Sequence, residues 1–465
     1  VSREHWIQKL SPAIRNNYIK NSPKGSSRLL LEFNGRKYDY IVDLVKANQG
    51  KILHSISLIP LLAVEIPLEA LPKVANSLHI GKIWDDSKVS LQDDQILLDE
   101  TTEESPVKQN SAYRSISQVE SQSIQEYDYT GKGIVVAVLD TGVFPHQDLI
   151  VPNNRIVGWK DFINHRASPY DDHGHGTEIA GIIAGNGNAS DAVTKGMAPE
   201  AWLVGVKILD QDGNGRLSHM IAGIEWCVRN LPLFNIRILC LSVPAIYQDR
   251  FCADPFARII SMAWRRGITV FTPVETQKHV SFYGLPKPFV SVASLNYQQT
   301  LALNEKQLND SVACSDISKA LTAPDLIAEG EKVVSLNMED GYKTCSGNTI
   351  ATAMAAGGAA MVLEKWPKLG PARVKYILTK RARDLGLGQN LQGSGLLNLN
   401  VLGNSKKRAA FIPSALPLNM NQILPAALKL LTQNAANSGK YPNELFMNLI
   451  GSLIRNWTHS SDSIN

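Results

Sequence analysis

The sequence contains no Cys-x-x-Cys pair and only five cysteines, Cys227, Cys240, Cys252, Cys314 and Cys345, an odd number at irregular spacings. That excludes a dense disulfide framework and offers no dithiol to a metal or a redox reaction, so buried or free thiols in a reducing compartment are expected. Charge of one sign is also lacking: 47 Lys and Arg against 43 Asp and Glu leave +4, too little to mark a binder of nucleic acid or of an acidic membrane. The first twenty residues carry Arg3, Glu4, His5, Lys9, Arg15 and Lys20 without an unbroken apolar run. No secretory signal is read there, and a cytoplasmic protein is expected. Nor does any apolar stretch reach the roughly 20 residues of a bilayer span. The longest weakly polar one, 350–363, contains Gly357-Gly358 and reads as a core helix.

What is present divides the 465 residues into two folded units with flanking segments. Residues 1–26 form a polar N-terminal extension with Pro12 and Pro23. In 27–87 the apolar pattern predicts strands over 29–33, 51–59, 62–66 and 81–84 and helices over 38–47 and 68–78. The order βαββαβ is that of a small α+β, ferredoxin-like domain. Residues 88–125 hold Asp93, Asp94, Asp99, Glu100, Glu103 and Glu104 among Ser, Gln and Thr, which is linker composition. From 126 to 402, apolar runs at 134–139, 202–208, 236–241, 268–271 and 289–293 alternate with helical stretches. That alternation predicts an α/β domain on a mostly parallel sheet. The tail, 403–465, begins with Lys406-Lys407-Arg408 and ends in an apolar stripe of Leu445, Phe446, Leu449, Ile450, Leu453, Ile454 and Trp457. The stripe is read as a helix face packing on the protein's own surface, the alternatives being a partner protein and, less favoured, a membrane surface.

Three segments carry chemistry. Val136-Ala137-Val138-Leu139-Asp140-Thr141-Gly142 ends an apolar strand in a carboxylate, and parallel sheets place their sites at that end. Asp172-His173-Gly174-His175-Gly176-Thr177 puts an imidazole between glycines at the start of a buried helix, with room for the ring to face a cleft. Ser346-Gly347-Asn348-Thr349-Ile350-Ala351-Thr352-Ala353 offers a hydroxyl. A hydroxyl, an imidazole to take its proton and a carboxylate to orient the imidazole are the parts of a hydrolytic triad.

In this order and with these flanks, the three segments resemble the Asp, His and Ser motifs of the subtilisin-like serine proteases, peptidase family S8. The resemblance covers roughly 127–402. Tyr170-Asp171-Asp172-His173-Gly174-His175-Gly176-Thr177 and Val204-Gly205-Val206-Lys207-Ile208-Leu209 are most similar to the intracellular members from spore-forming bacteria. It implies a subtilisin-like α/β domain with Asp140 as orienter, His175 as general base and Thr349 in the place of the nucleophilic Ser. It implies that 28–86 are an inhibitor-like propeptide domain occluding the cleft. The segment Gly213-Asn214-Gly215-Arg216-Leu217 falls where the family pairs substrate as an added strand. Calcium, which family members hold in surface loops, would have Asp148, Asn186 and Asn188 as candidates. No cofactor is required.

The departures cluster on the nucleophile side. Thr349 adds a methyl and restricts χ1, and internal Thr lacks the N-terminal amine on which Thr nucleophiles generally rely. The family's oxyanion Asn is replaced by Thr276, preceded by Glu275. The specificity-pocket segment reads Ser242-Val243-Pro244-Ala245, where Pro removes a backbone donor. The residues after the nucleophile are Ala353 and Met354 where the family has Pro and His. The reading is a catalytically impaired or inactive peptidase homologue that binds a protein or peptide. Its alternative is an active endopeptidase using Thr349, His175 and Asp140.

Overall fold

The computed structural model describes residues 5–20, 25–91, 129–244, 254–274, 287–295 and 323–403. Most of the polar linker, Thr276 with Glu275, Ala245 and the apolar stripe of the tail lie outside the described residues.

The N-terminal domain is built on strands without a polar face. β1 (Ser26–Phe33) carries Leu29-Leu30-Leu31 and β3 (Leu61–Pro67) carries Leu61-Leu62-Ala63-Val64, all buried. Side chains alternate across a strand, so a run that is apolar at every position must be covered on both sides. Leu29, Leu31, Leu62 and Val64 pack with Ile41 and Val45 of α2 (Tyr38–Ala47) and with Leu71 and Val74 of α3 (Leu71–Ala75). Leu30, Leu61 and Ala63 face the other way and join the core of the second domain. β2 (Lys51–Ile56) and β4 (Ile80–Asp85) complete an antiparallel sheet in the order β2-β3-β1-β4, the expected βαββαβ unit.

Two boundaries differ from the sequence reading. The first residues are not a separate extension: a 3-10 turn at His5–Lys9 and α1 (Pro12–Lys20) put Trp6, Leu10 and Ile14 into the N-terminal core. The Ser11 N–H donates to the Ile83 carbonyl at 2.8 Å. The linker also begins later than 88, because Lys88–Ser90 is a strand, β5.

The second domain holds seven parallel strands: β6 (Val135–Asp140), β7 (Ile156–Asp161), β8 (Trp202–Lys207), β10 (Ile236–Leu241), β11 (Thr269–Pro273), β12 (Val290–Leu295) and β13 (Leu326–Glu329). Their order is β13-β12-β11-β10-β6-β8-β7. On β6, Val136 and Val138 pack with Ile179 and Ile182 of the helix His175–Ala184 and with Ala353 and Ala356 of the helix Asn348–Lys365. Val135, Ala137 and Leu139 pack on the opposite face with the helices Leu217–Arg229 and Pro255–Arg265. The sheet is therefore covered on both sides, which is why its strands read as unbroken apolar runs. From β6 the chain goes to the edge strand β7, returns to β8 beside β6 and then crosses to β10 on the other side of β6, so β6 lies at a switch point where open α/β sheets form a crevice. Among the described residues no helix is long and apolar enough to cross a membrane.

Candidate active site

Each group of the site stands at an element's end. Asp140 is the last residue of β6, His175 the first of the helix His175–Ala184, and Thr349 the second of the helix Asn348–Lys365. A hairpin of β14 (Val333–Leu336) and β15 (Tyr342–Cys345) delivers the chain to that last helix. The three side chains meet as the motifs predict. His175 Nδ1 lies 2.9 Å from both carboxylate oxygens of the fully buried Asp140, and Nε2 lies 3.0 Å from Thr349 Oγ1. In the neutral ring, Nδ1–H donates to Asp140 and Nε2 accepts from the Thr349 hydroxyl, the arrangement a general base requires. Burial alone would pull the His175 imidazole below its ordinary value, but the charge and hydrogen bond of Asp140 outweigh it and raise it to about 9.

The loops nest so tightly that side chains are excluded at two glycines. A Cβ on Gly176 would stand 2.0 Å from the Gly142 carbonyl and 3.0 Å from Asp140 Cβ, and one on Gly142, whose φ is +140°, would stand 2.1 Å from the Tyr170 carbonyl. Asp171, which sequence reasoning left without a role, ties the two motifs together. Its carboxylate accepts from the Thr141 hydroxyl (2.9 Å), the Gly174 amide (2.9 Å), and the Thr177 amide and hydroxyl (3.0 and 2.7 Å). Burial pushes the Asp171 carboxyl up, yet these donors and the His173 amide hold it below the usual range. Lys207, at the end of β8 and fully buried, reaches Asp172 at 2.5 Å and also donates to the Thr141 carbonyl. The local signal for both was the run Asp171-Asp172 before the His, with a lysine ending an apolar strand.

On the nucleophile side, Gly347 adopts φ +147° before the helix, and Asn348 Oδ1 accepts the Ser294 amide at 2.8 Å. The Thr349 amide belongs to the first turn, whose N–H groups have no acceptor within the helix and carry the positive end of its dipole. Thr276, the residue expected at the side-chain donor position, lies outside the described residues. Ser242, Val243 and Pro244 differ from a simple cleft lining. The Ser242 hydroxyl donates to the Leu139 carbonyl at 2.9 Å, the Val243 side chain is fully buried, and Pro244 is buried with no N–H to offer.

The expected substrate-pairing segment is a strand, β9 (Asn214–Arg216), and it already has a partner. β5 lies antiparallel to it with Lys88 opposite Arg216, Val89 opposite Gly215 and Ser90 opposite Asn214. The ladder continues as the Leu91 amide donates to the Gly213 carbonyl at 3.0 Å. Val89 is buried in the same core as Leu209 and Leu217. A Cβ added at Gly213 would come within 3.0 Å of Leu91 Cδ1 and 3.3 Å of His173 Nε2, the ring that stands 6.4 Å from that of His175. Carboxylates hold the N-terminal domain in this position. Glu225 accepts from the amides of Ser57 and Leu58, both at 2.7 Å, and from the Ser57 hydroxyl at 2.9 Å. Asp86 accepts from the Ser218 amide and hydroxyl, both at 2.8 Å, and Glu32 pairs with Arg258 at 2.5 Å.

At the calcium candidates, Asp148 is buried and its carboxylate accepts from the amides of Gly187 (3.1 Å) and Ala189 (2.7 Å) and from the Tyr342 hydroxyl (2.9 Å). Asn186 Oδ1 accepts the Asn188 amide at 2.9 Å, and its amide nitrogen donates to the Val151 carbonyl at 2.6 Å. These oxygens accept from amides of the 186–189 loop and from the Tyr342 hydroxyl of β15. Among the described residues no group of three or more His, Cys, Asp or Glu is placed to hold a metal ion.

Comparison with known proteins agrees with this geometry. Residues 131–399 match the profile of the subtilase family, Peptidase S8. The chain is 33% identical over 294 residues to the serine protease AprX of Bacillus subtilis, a match covering 58% of this chain and 66% of AprX. It is 27% identical over 403 residues to the alkaline protease of Alkalihalobacillus alcalophilus, covering 84% of this chain and 94% of that protein. Among solved structures, fervidolysin from Fervidobacterium pennivorans, a keratinolytic enzyme related to subtilisin, shares the fold with a TM-score of 0.59 at 18% identity. That match covers 82% of this chain and 61% of fervidolysin.

Proposed function

Because the chain belongs to the subtilase family, we propose that it is a catalytically impaired homologue whose cleft holds an extended polypeptide segment. One observation carries this reading: the protein's own residues 88–91 pair with β9 as an added strand, which ends next to His173. Strand addition supplies affinity through backbone hydrogen bonds and works whether or not a bond is later broken. The impairment rests on the nucleophile. Thr349 is 6% exposed, and its extra methyl restricts the rotation an attacking hydroxyl needs. Pro244 further removes a backbone donor from the segment that would line the cleft.

A second reading, an active endopeptidase with Thr349 as nucleophile, is favoured by the 3.0 Å approach of His175 Nε2 to the hydroxyl. Intact mass separates the two. The purified full chain is incubated for days at pH 9 beside Thr349→Ser and Thr349→Ala. The impaired reading expects the wild type and Thr349→Ala to keep the full-length mass while Thr349→Ser severs itself after residue 91. Cleavage of the wild type at a rate near that of Thr349→Ser, with Thr349→Ala intact, refutes it and establishes the second reading.

A further inference from the structure

The seam between the two domains contains two facing imidazoles. His54 stands on β2 of the N-terminal domain and His219 on the helix Leu217–Arg229 of the second, with ring centroids 5.2 Å apart and planes at 86°. Phe162 packs on the other side of His54 at 6.0 Å. His219 Nδ1 is buried and has no hydrogen-bond partner.

The charged groups facing this pair from every packed element are predominantly cationic. They are Arg28 of β1, Lys160 of β7, His165 after it, and Arg216 of β9. Carboxylates accompany these cations: Asp86 stands in the field of Arg28 and Arg216, and Asp161 in that of Lys160, while each is held by other donors. Glu65 of β3 pairs with Arg28 at 4.0 Å, Asp86 accepts from Ser218, and Asp161 accepts the amides of Ile163, Asn164 and Arg166. On the helix of His219 itself, Glu225 is bound to Ser57 and Leu58.

We propose that the His54–His219 pair is an acid-operated release: protonation of the facing rings, in a seam already lined by Arg28, Lys160 and Arg216, drives the N-terminal domain off and lifts β5 from β9. The inference rests on the reading of β9 as the polypeptide-binding strand. Desolvation first, and then the neighbouring cations, depress both imidazoles from 6.5 to about 4. A base held below its free value weakens the closed state as pH falls below the free value, and the loss saturates below the closed-state value. At pH 5 each ring favours opening by about 30-fold, and the two together by up to about 1000-fold. At that pH His175 is protonated and cannot act as a base, so the opened cleft binds without cleaving.

Hydrogen exchange on the full chain tests this, with rates corrected for the intrinsic effect of pH. Protection of the β5–β9 amides is expected to fall by at least about 30-fold between pH 7.5 and pH 5 in the wild type. It is expected to persist in His54→Gln/His219→Gln, whose protection at pH 7.5 also reports that it folds. Arg28→Gln keeps both rings, removes a cation that depresses them and shrinks the fall. Undiminished protection of the wild type at pH 5, or an equal fall in the double variant, overturns the proposal. The readout is ladder opening alone. A cleft that opens at pH 5 yet captures no peptide refutes the functional reading and leaves the switch standing.

Discussion

Replacing Glu225 by Ala removes the carboxylate on which the N-terminal domain hangs. Its side chain is only 8% exposed, and one oxygen accepts three hydrogen bonds from Ser57 and Leu58 at 2.7 to 2.9 Å. Ser57 is exposed and its donors regain water once the carboxylate is gone, so each of its bonds counts for about 1 kcal/mol net. The Leu58 amide is half-buried and regains less, and its bond counts for somewhat more. The sum is about 3 kcal/mol, or an increase of about 150-fold in the open population. Glu225→Gln keeps an acceptor without the charge and is expected to lose about half of that. Exchange of the Ser57 and Leu58 amides and of the β5–β9 ladder at pH 7.5 reads the population directly. The second domain provides an internal control, because strands β6 and β10 make no use of Glu225. A change of less than threefold in the ladder for Glu225→Ala would show that apolar burial of Leu30, Leu61 and Ala63 holds the domain without the carboxylate, and would refute the reasoning.

Two further predictions concern the triad and the Asp148 loop. With the His175 imidazole raised to about 9, the neutral base is a minor species at pH 7. Self-cleavage by Thr349→Ser should therefore rise about 50-fold between pH 7 and pH 9 and level off above, and a flat profile across that range contradicts the Asp140–His175 coupling. The same shift makes the pair's contribution to stability complete below about 6.5 and lost as pH rises through about 9. At Asp148, three donors from Gly187, Ala189 and Tyr342 do the work of holding the loop. Chelation with EDTA is expected to leave the thermal midpoint within about 2 °C; a drop of more than about 5 °C shows that a cation is bound there after all.

Much of the fold was legible because its signals are local. The apolar runs that become β1 and β3, the helix at 38–47 and the unbroken apolar strands of the second domain each follow from side-chain patterns within a few residues. The edge strands β7 and β13 escaped notice: β7 is mostly half-buried and mixes Gly158, Trp159 and Lys160 into its run, and β13 is four residues long. The motif does not say where the Ser242 hydroxyl points; it donates to the Leu139 carbonyl because a polar group at a buried strand end must find an acceptor.

The sequence by itself determined the members of the triad, Asp140, His175 and Thr349, and the two domain classes, since motif spacing and apolar period are properties of the chain alone. Only the tertiary structure decided what pairs with β9. Lys88-Val89-Ser90 carries no strand signal of its own, and becomes one because docking of the Leu30 and Ala63 face brings its backbone alongside β9. Tertiary structure likewise brought Trp6 and Leu10 into a core, gathered five donors around Asp171, and set His54 against His219 from positions 165 residues apart. Backbone pairing and ion placement of that kind depend on which surfaces meet, and no local pattern in the chain records it.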